Sequence, residues 1–183
     1  MNGATLVFVD EAGFGLVPVT GKTWGLRGET PIIHHPWSPY ARISVISGIT
    51  ADQRLFFQLK PDGTFKSPDI AKFLKHLLRH IEGEIVLVWD GAPQHRGAAI
   101  RQVLDENSRL EIVRLPGYSP DFNPDELVWH YTKNVNLRGK TPANIHELKE
   151  NVCASFASLR RRPEMLRSFL HATELPWGSS LTG

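Results

Sequence analysis

Ile85-Val86-Leu87-Val88-Trp89-Asp90 decides the architecture: five apolar residues in a row, stopped by an acid and followed by Gly91, read as a strand buried on both faces. Leu6-Val7-Phe8-Val9 stops at Asp10 in the same way. Between the two runs, Arg42 to Thr50 and Arg54 to Leu59 are rich in β-branched and aromatic residues, and the short Ala51-Asp52-Gln53 link predicts a hairpin. Ser67-Pro68 then opens a helix in which Ile70, Phe73, Leu74, Leu77, Leu78 and Ile81 recur at helical spacing, with Pro68 suited to the first turn. After Asp90 the pattern predicts a helix over about 97–106, a strand from Leu110 to Leu115 and a turn-rich Pro116-Gly117-Tyr118-Ser119-Pro120, with helices beyond. Residues 11–41, broken by glycines and prolines, predict only loops or short strand pieces. The order is strand, antiparallel strands, helix, strand, helix, strand, helix. It predicts a three-layer α/β fold with a mixed central sheet and helices on both faces.

With 183 residues, 41% hydrophobic and 22% charged, the chain is long enough to bury about 70% of its unfolded surface. That excludes disorder and predicts one domain over 1–183, with a helical extension from about 141 to the end. The lone Cys153 can form no internal disulfide and has no Cys-x-x-Cys partner, and the chain has no apolar run long enough to span a membrane. A cytoplasmic protein is expected. Net charge is only +2, but from Leu127 onward eight Lys/Arg face four Asp/Glu. Arg160, Arg161 and Arg162, with Arg167 nearby, are therefore candidate phosphate contacts, a solvated helix face being the ordinary alternative.

In open α/β sheets, ligand sites lie beyond strand carboxyl ends, so Asp10 and Asp90 become candidates for one site. Either alone is equally well read as a turn residue. A third acid, Glu126, lies in Ser119-Pro120-Asp121-Phe122-Asn123-Pro124-Asp125-Glu126-Leu127-Val128-Trp129, where Asn123 as N-cap and Pro124 as first helical residue also allow Glu126 a capping-box role. His76 and His80 share an i, i+4 spacing that suits Zn²⁺ but has no third ligand. His34-His35 in the early insertion is left open, adjacent residues of an extended segment pointing to opposite faces, whereas Trp24 and Trp37 read as packing residues, with stacking on an unpaired base as the alternative.

The chain resembles the catalytic domain of mariner-like, bacterial insertion-sequence transposases of the DDE superfamily. The resemblance rests on Val9-Asp10-Glu11-Ala12-Gly13, on Trp89-Asp90-Gly91-Ala92-Pro93-Gln94-His95, and on Leu115-Pro116-Gly117-Tyr118-Ser119-Pro120 leading into Asn123-Pro124-Asp125-Glu126 and Trp129. It implies a ribonuclease-H-like fold in which Asp10, Asp90 and Glu126 are the catalytic, metal-binding triad, holding two Mg²⁺ or Mn²⁺ ions. It also implies DNA, as transposon ends and target, as partner, admits a homodimer, and places the protein on the bacterial nucleoid when DNA is bound. His95 occupies a family position and is an auxiliary candidate for contacting phosphate or a metal-bound water. Two departures stand out. Gly91 replaces the more usual Asn, and 35 residues separate Asp90 from Glu126 where thirty-four are usual, so that Asp125 is a rival third ligand.

The carboxylate set suits Mg²⁺, a hard cation that prefers oxygen, and two such ions can serve both the attacking and the leaving oxygen of a phosphodiester. The expected activity is metal-dependent DNA cleavage and strand transfer. The first strand begins close to Met1, so the helix-turn-helix region that reads transposon ends is expected to be absent or to be a separate part. A non-catalytic remnant that binds DNA or regulates a transposase is the alternative of a different class. A phospho-acceptor signalling domain fits less well, because a hairpin interrupts the βα alternation.

Overall fold

The computed structural model describes residues 3–16, 27–28, 32, 41–117 and 120–175. Five strands form one mixed sheet: β1 (Thr5–Gly15), β2 (Arg42–Thr50), β3 (Leu55–Lys60), β4 (Ile85–Trp89) and β5 (Leu110–Arg114). Their order across the sheet is β3-β2-β1-β4-β5. β1, β2 and β3 pair antiparallel, as the hairpin link predicts, whereas β4 and β5 run parallel to β1. Both parallel connections carry a helix, α1 (Ser67–His80) before β4 and α2 (Ala98–Asp105) before β5.

Alternation along β1 divides the core. Val7 and Val9 join Ile46, Phe73, Leu77, Leu87 and Ile100 under α1 and α2, while Phe8 points the other way, toward Val128, Phe156 and Leu166. That second face is covered by α3 (Pro124–Tyr131), α4 (Ile145–Arg160) and α5 (Pro163–His171). Phe156 of α4 is fully buried, with its ring centroid 5.0 Å from Phe57 and 5.5 Å from Trp129. The C-terminal helices thus build the third layer of the fold instead of hanging from it.

α1 keeps its expected start, and Asp69 in its first turn accepts from the Lys66 N–H at 3.0 Å and from Lys60 Nζ at 2.6 Å. The beginning of α2 requires Gly97. A Cβ there would fall 1.9 Å from Ser67 Oγ, so any larger residue would push α1 and α2 apart. Beyond α3 the chain widens into a π-helical turn over Thr132–Asn136, closed by Leu137 N–H to Thr132 O at 3.0 Å.

Residues 11–15, for which the sequence allows loops or short strand pieces, continue β1. Ala12, Gly13 and Gly15 have little strand propensity of their own, but β2 supplies ladder partners as far as Gly15↔Arg42. Most of the remaining insertion, with Trp24, His34, His35 and Trp37, lies outside the described residues.

Candidate active site

The strand ladder itself brings two of the three acids together. β1 and β4 pair from Thr5↔Ile85 to Phe8↔Val88, and each strand reaches its acid two residues later. The constant register carries Asp10 and Asp90 to the same level, at the point where the strands part. β4 ends at Trp89, whereas β1 continues beside β2 with Asp10 opposite Ser47. A cleft opens where the apolar runs stop.

Helix α3 closes one side of it. Asn123 caps the helix, accepting from the Asp125 N–H at 3.1 Å, and its Nδ2 donates to Asp10 Oδ2 at 3.2 Å. Trp129, one turn further on, donates its Nε1–H to the same oxygen at 3.3 Å. Oδ1 of Asp10 accepts from the Glu11 N–H at 2.8 Å. Pro124 fixes the helix start, so the register of Asp125 and Glu126 is set. Asp125 turns inward, fully buried, with Ser47 Oγ 2.6 and 2.8 Å from its two oxygens. Glu126 is exposed and faces the cleft, its side chain making no hydrogen bond among the described residues and no capping-box bond to Asn123.

The cleft encloses about 690 Å³ and is lined by Asp10, Asp90, Arg96, Asn123 and Glu126, with the 115–117 loop on the far side. Its electrostatics are unfavourable for bare carboxylates. Burial, reinforced by the charges of Glu126 and Glu11 and only partly offset by the Glu11 N–H and Trp129 bonds, pushes Asp10 up to about 7. Asp125 is raised well above the usual carboxylate range, first by burial and then by Asp10 and Glu126, against the Ser47 hydrogen bond.

This donor set fits a hard divalent cation. It offers only oxygen, and a cation would relieve the crowding of negative charge that raises Asp10. Among the described residues no three His, Cys, Asp or Glu side chains stand ready in metal-ligand geometry. Glu126, unbonded and exposed, is the member of the set that is free to turn.

His95 occupies a place that the sequence left open. Its ring is buried and stacks on Trp89 with centroids 4.2 Å apart and planes 9° from parallel. Nδ1 lies 2.9 Å from Asp90 Oδ1 and 3.1 Å from the Asp90 carbonyl oxygen, and Nε2 lies 3.1 and 3.2 Å from the Glu11 carboxylate oxygens. Every neighbour is an acceptor, so both ring nitrogens act as donors. Burial disfavours the charged ring, but the hydrogen bond and charge of Glu11, followed by those of Asp90, outweigh it and raise the pKa above its ordinary value.

Glu11 is the residue that sequence reasoning missed, and alternation could have found it. If Asp10 faces α3, its neighbour must face the α2 side, where His95 lies. Ser47 carries no comparable signal, since nothing local marks one serine of β2 as opposite a helix start.

The other candidates lie elsewhere. Arg160 donates from Nε to Leu55 O at 3.0 Å, and its guanidinium sits 4.6 Å from the Phe57 ring centroid, at the β3 edge. Arg161 and Arg162 are exposed at the α4–α5 turn. The His76 and His80 rings lie with centroids 4.2 Å apart and planes tilted by 45°, beside Phe56. Tyr118 and Ser119 lie outside the described residues.

A mixed sheet in this strand order, with one acid within its first strand, a second just past the end of its fourth and a third on the helix that faces them, defines the ribonuclease-H-like class. The model of a family described as DDE superfamily endonuclease matches residues 5–149, and the chain belongs to that family. Among solved structures, the catalytic domain of Mos1 mariner transposase is similar over 93% of this chain and 83% of that one, with 16% identity and a TM-score of 0.60. The Mos1 strand transfer complex matches with 18% identity, a TM-score of 0.64 and 94% of this chain covered. The Mos1 paired end complex with Mn matches with 17% identity, a TM-score of 0.65 and 94% of this chain covered. In both complexes the chain spans just over half, 56%, of the transposase it matches. No curated protein matches the chain. Among the described residues no helix is long and apolar enough to cross a membrane.

Proposed function

We propose that this chain is the catalytic domain of a bacterial insertion-sequence transposase, and that it cuts and joins DNA strands at Asp10, Asp90 and Glu126 with two Mg²⁺ or Mn²⁺ ions. The observation that carries this reading is the convergence of those three carboxylates, from β1, the end of β4 and the start of α3, on one open cleft. The Mos1 complexes, with transposon DNA and with Mn, support the substrate and the cofactor.

The three carboxylates would hold the metal, with Glu126 turning inward to complete the set. Bound there, divalent ions supply an activated water and a stabilised 3′-oxygen leaving group. The protein's own side chains orient the ligands. Asn123 and Trp129 fix one oxygen of Asp10, the Ala92 N–H at 2.9 Å and His95 fix Asp90 through Oδ1, and the second oxygen of Asp90 is left for the cleft. Asp125 sits behind this set. Ser47 holds it away from the cleft, which supports Glu126 as the third ligand. Arg161 and Arg162 are proposed as distant phosphate contacts.

Nicking of supercoiled plasmid DNA in Mn²⁺ tests the reading. The wild-type chain should nick, and Asp10→Asn, Asp90→Asn and Glu126→Gln should each abolish nicking while remaining folded. Undiminished nicking in all three variants would overturn it.

A further inference from the structure

A second groove opens on the other side of Arg96. It encloses about 590 Å³ between α2 and β5, with Ile100, Leu104 and Ile112 on its floor and Arg96, Arg101 and Arg114 around it. Among the described residues no acidic side chain lines it. Arg101 and Arg114 are exposed, and their guanidinium groups have no ion-pair or hydrogen-bond partner among the described residues. The indole Nε1 of Trp89, buried at the same groove, also lacks a partner among the described residues.

The groove is continuous with the catalytic cleft in two ways. Arg96 lines both, anchored by Nη2 to Gly91 O at 2.9 Å, a position where glycine leaves the space beside the guanidinium open. β5 crosses from one to the other, since Arg114 lines the groove and the next residues, Leu115 to Gly117, line the cleft. Arg114 pairs with Trp89, immediately before Asp90.

We infer that this groove carries the phosphate backbone of the DNA strand as it leaves the catalytic cleft, with Arg101 and Arg114 as the phosphate contacts and Arg96 as the hinge between the two sites. The inference rests on the function proposed above. Three cations with no acid among them are complementary to successive phosphates, and the apolar floor suits the sugar edge of a strand, which carries no charge. Among the described residues the groove holds no side-chain carboxylate or amide to read a base edge, so binding should be indifferent to sequence and sensitive to salt.

The test is fluorescence anisotropy of the full chain with a labelled DNA duplex over a salt series. Arg101→Ala/Arg114→Ala should weaken binding about tenfold or more and lower the log–log salt slope by roughly 2, close to one per lost phosphate contact. Arg101→Lys/Arg114→Lys should keep most of the affinity, because a phosphate accepts either charge. Unchanged affinity and slope in a folded alanine variant would overturn the groove, as would equal losses in the lysine and alanine variants. The plasmid-nicking assay separates the two levels of the account. If Asp10→Asn abolishes nicking while the double alanine variant binds and nicks like wild type, the groove is wrong and the catalytic reading stands. If wild type itself neither binds nor nicks, both fall together.

Discussion

The floor and the rim of the catalytic cleft are built from the same residue types and behave differently. At the floor and just behind it, Asp10 and Asp125 are held by Asn123, Trp129 and Ser47, and burial raises both above the ordinary carboxylate range. At the rim, Asp90 and Glu126 are exposed. Asp125 and Glu126 are consecutive, yet the roughly 100° turn between neighbouring helical positions sends one behind the site and the other into it. The difference teaches that an acid's role here is set by the face of its element, and that the fold tolerates repulsion at the floor because a cation can relieve it.

The sharpest way to break this comparison is to exchange the two roles. Glu126→Gln should reduce Mn²⁺-dependent nicking by roughly 10³-fold or more, as expected for loss of a member of a catalytic unit. Its melting temperature should stay close to wild type, since the side chain makes no bond. Asp125→Asn should do the opposite, sparing most of the activity. Equal loss of activity in both would erase the distinction between floor and rim.

Next in size is the packing role of the floor. Asp125→Ala leaves the Ser47 hydroxyl buried without its partner and should cost about 2–3 kcal/mol in urea unfolding. Asp125→Asn should cost under about 1 kcal/mol, because its amide can still pair with Ser47.

The pH dependence of metal-free stability tests the repulsion itself. Asp10 has its folded pKa raised from 3.8 to about 7, so the unfolded chain gives up this proton first. Its contribution is fully present below about pH 4 and is lost as pH rises through about 7. Asp10→Asn should therefore stabilise the metal-free chain at about pH 8 by on the order of 2 kcal/mol, less than the full rise of the Asp10 pKa would imply, because water reaches the cleft. A destabilised Asp10→Asn variant under those conditions would show that the carboxylate is not under strain. His95 adds a smaller change of the same sign, since its raised pKa means stability present below about 6.5 and lost as pH rises through the folded value.

The smallest effect concerns the brace behind the rim. His95→Gln removes the link between Glu11 and Asp90, and nicking should fall by about tenfold as Asp90 loses its fixed orientation, in line with losses of outer-sphere partners at metal sites. Glu11→Gln, which keeps an acceptor for Nε2, should lose less. If His95→Gln nicks like wild type, Asp90 needs no brace.

Much of this could be read from the sequence, for reasons that differ between the layers. The stretches leading to Asp10 and Asp90 are continuous apolar runs, and α1 repeats its buried residues at helical spacing, so local pattern and tertiary role agree there. The extension of β1 through Gly15 was hidden because the partner strand, not the residues themselves, makes it a strand. The Ser47–Asp125 bond was hidden because it joins positions 78 apart with no motif in common. Charge is legible in the same partial way. The arginine run at 160–162 stands out in the sequence, but Arg160 is engaged with Leu55 and Phe57, whereas Arg96, Arg101 and Arg114 are scattered along the chain and meet only in the fold.

The central claim is that Asp10, Asp90 and Glu126 form one divalent-metal site, and calorimetric titration of the metal-free chain with Mn²⁺ tests it most directly. The account predicts saturable binding that strengthens as pH rises through about 7, where Asp10 gives up its proton. It also predicts that Asp10→Asn, Asp90→Asn and Glu126→Gln each abolish this binding while Asp125→Asn preserves it. Binding of equal strength in wild type and all three triad variants would contradict it.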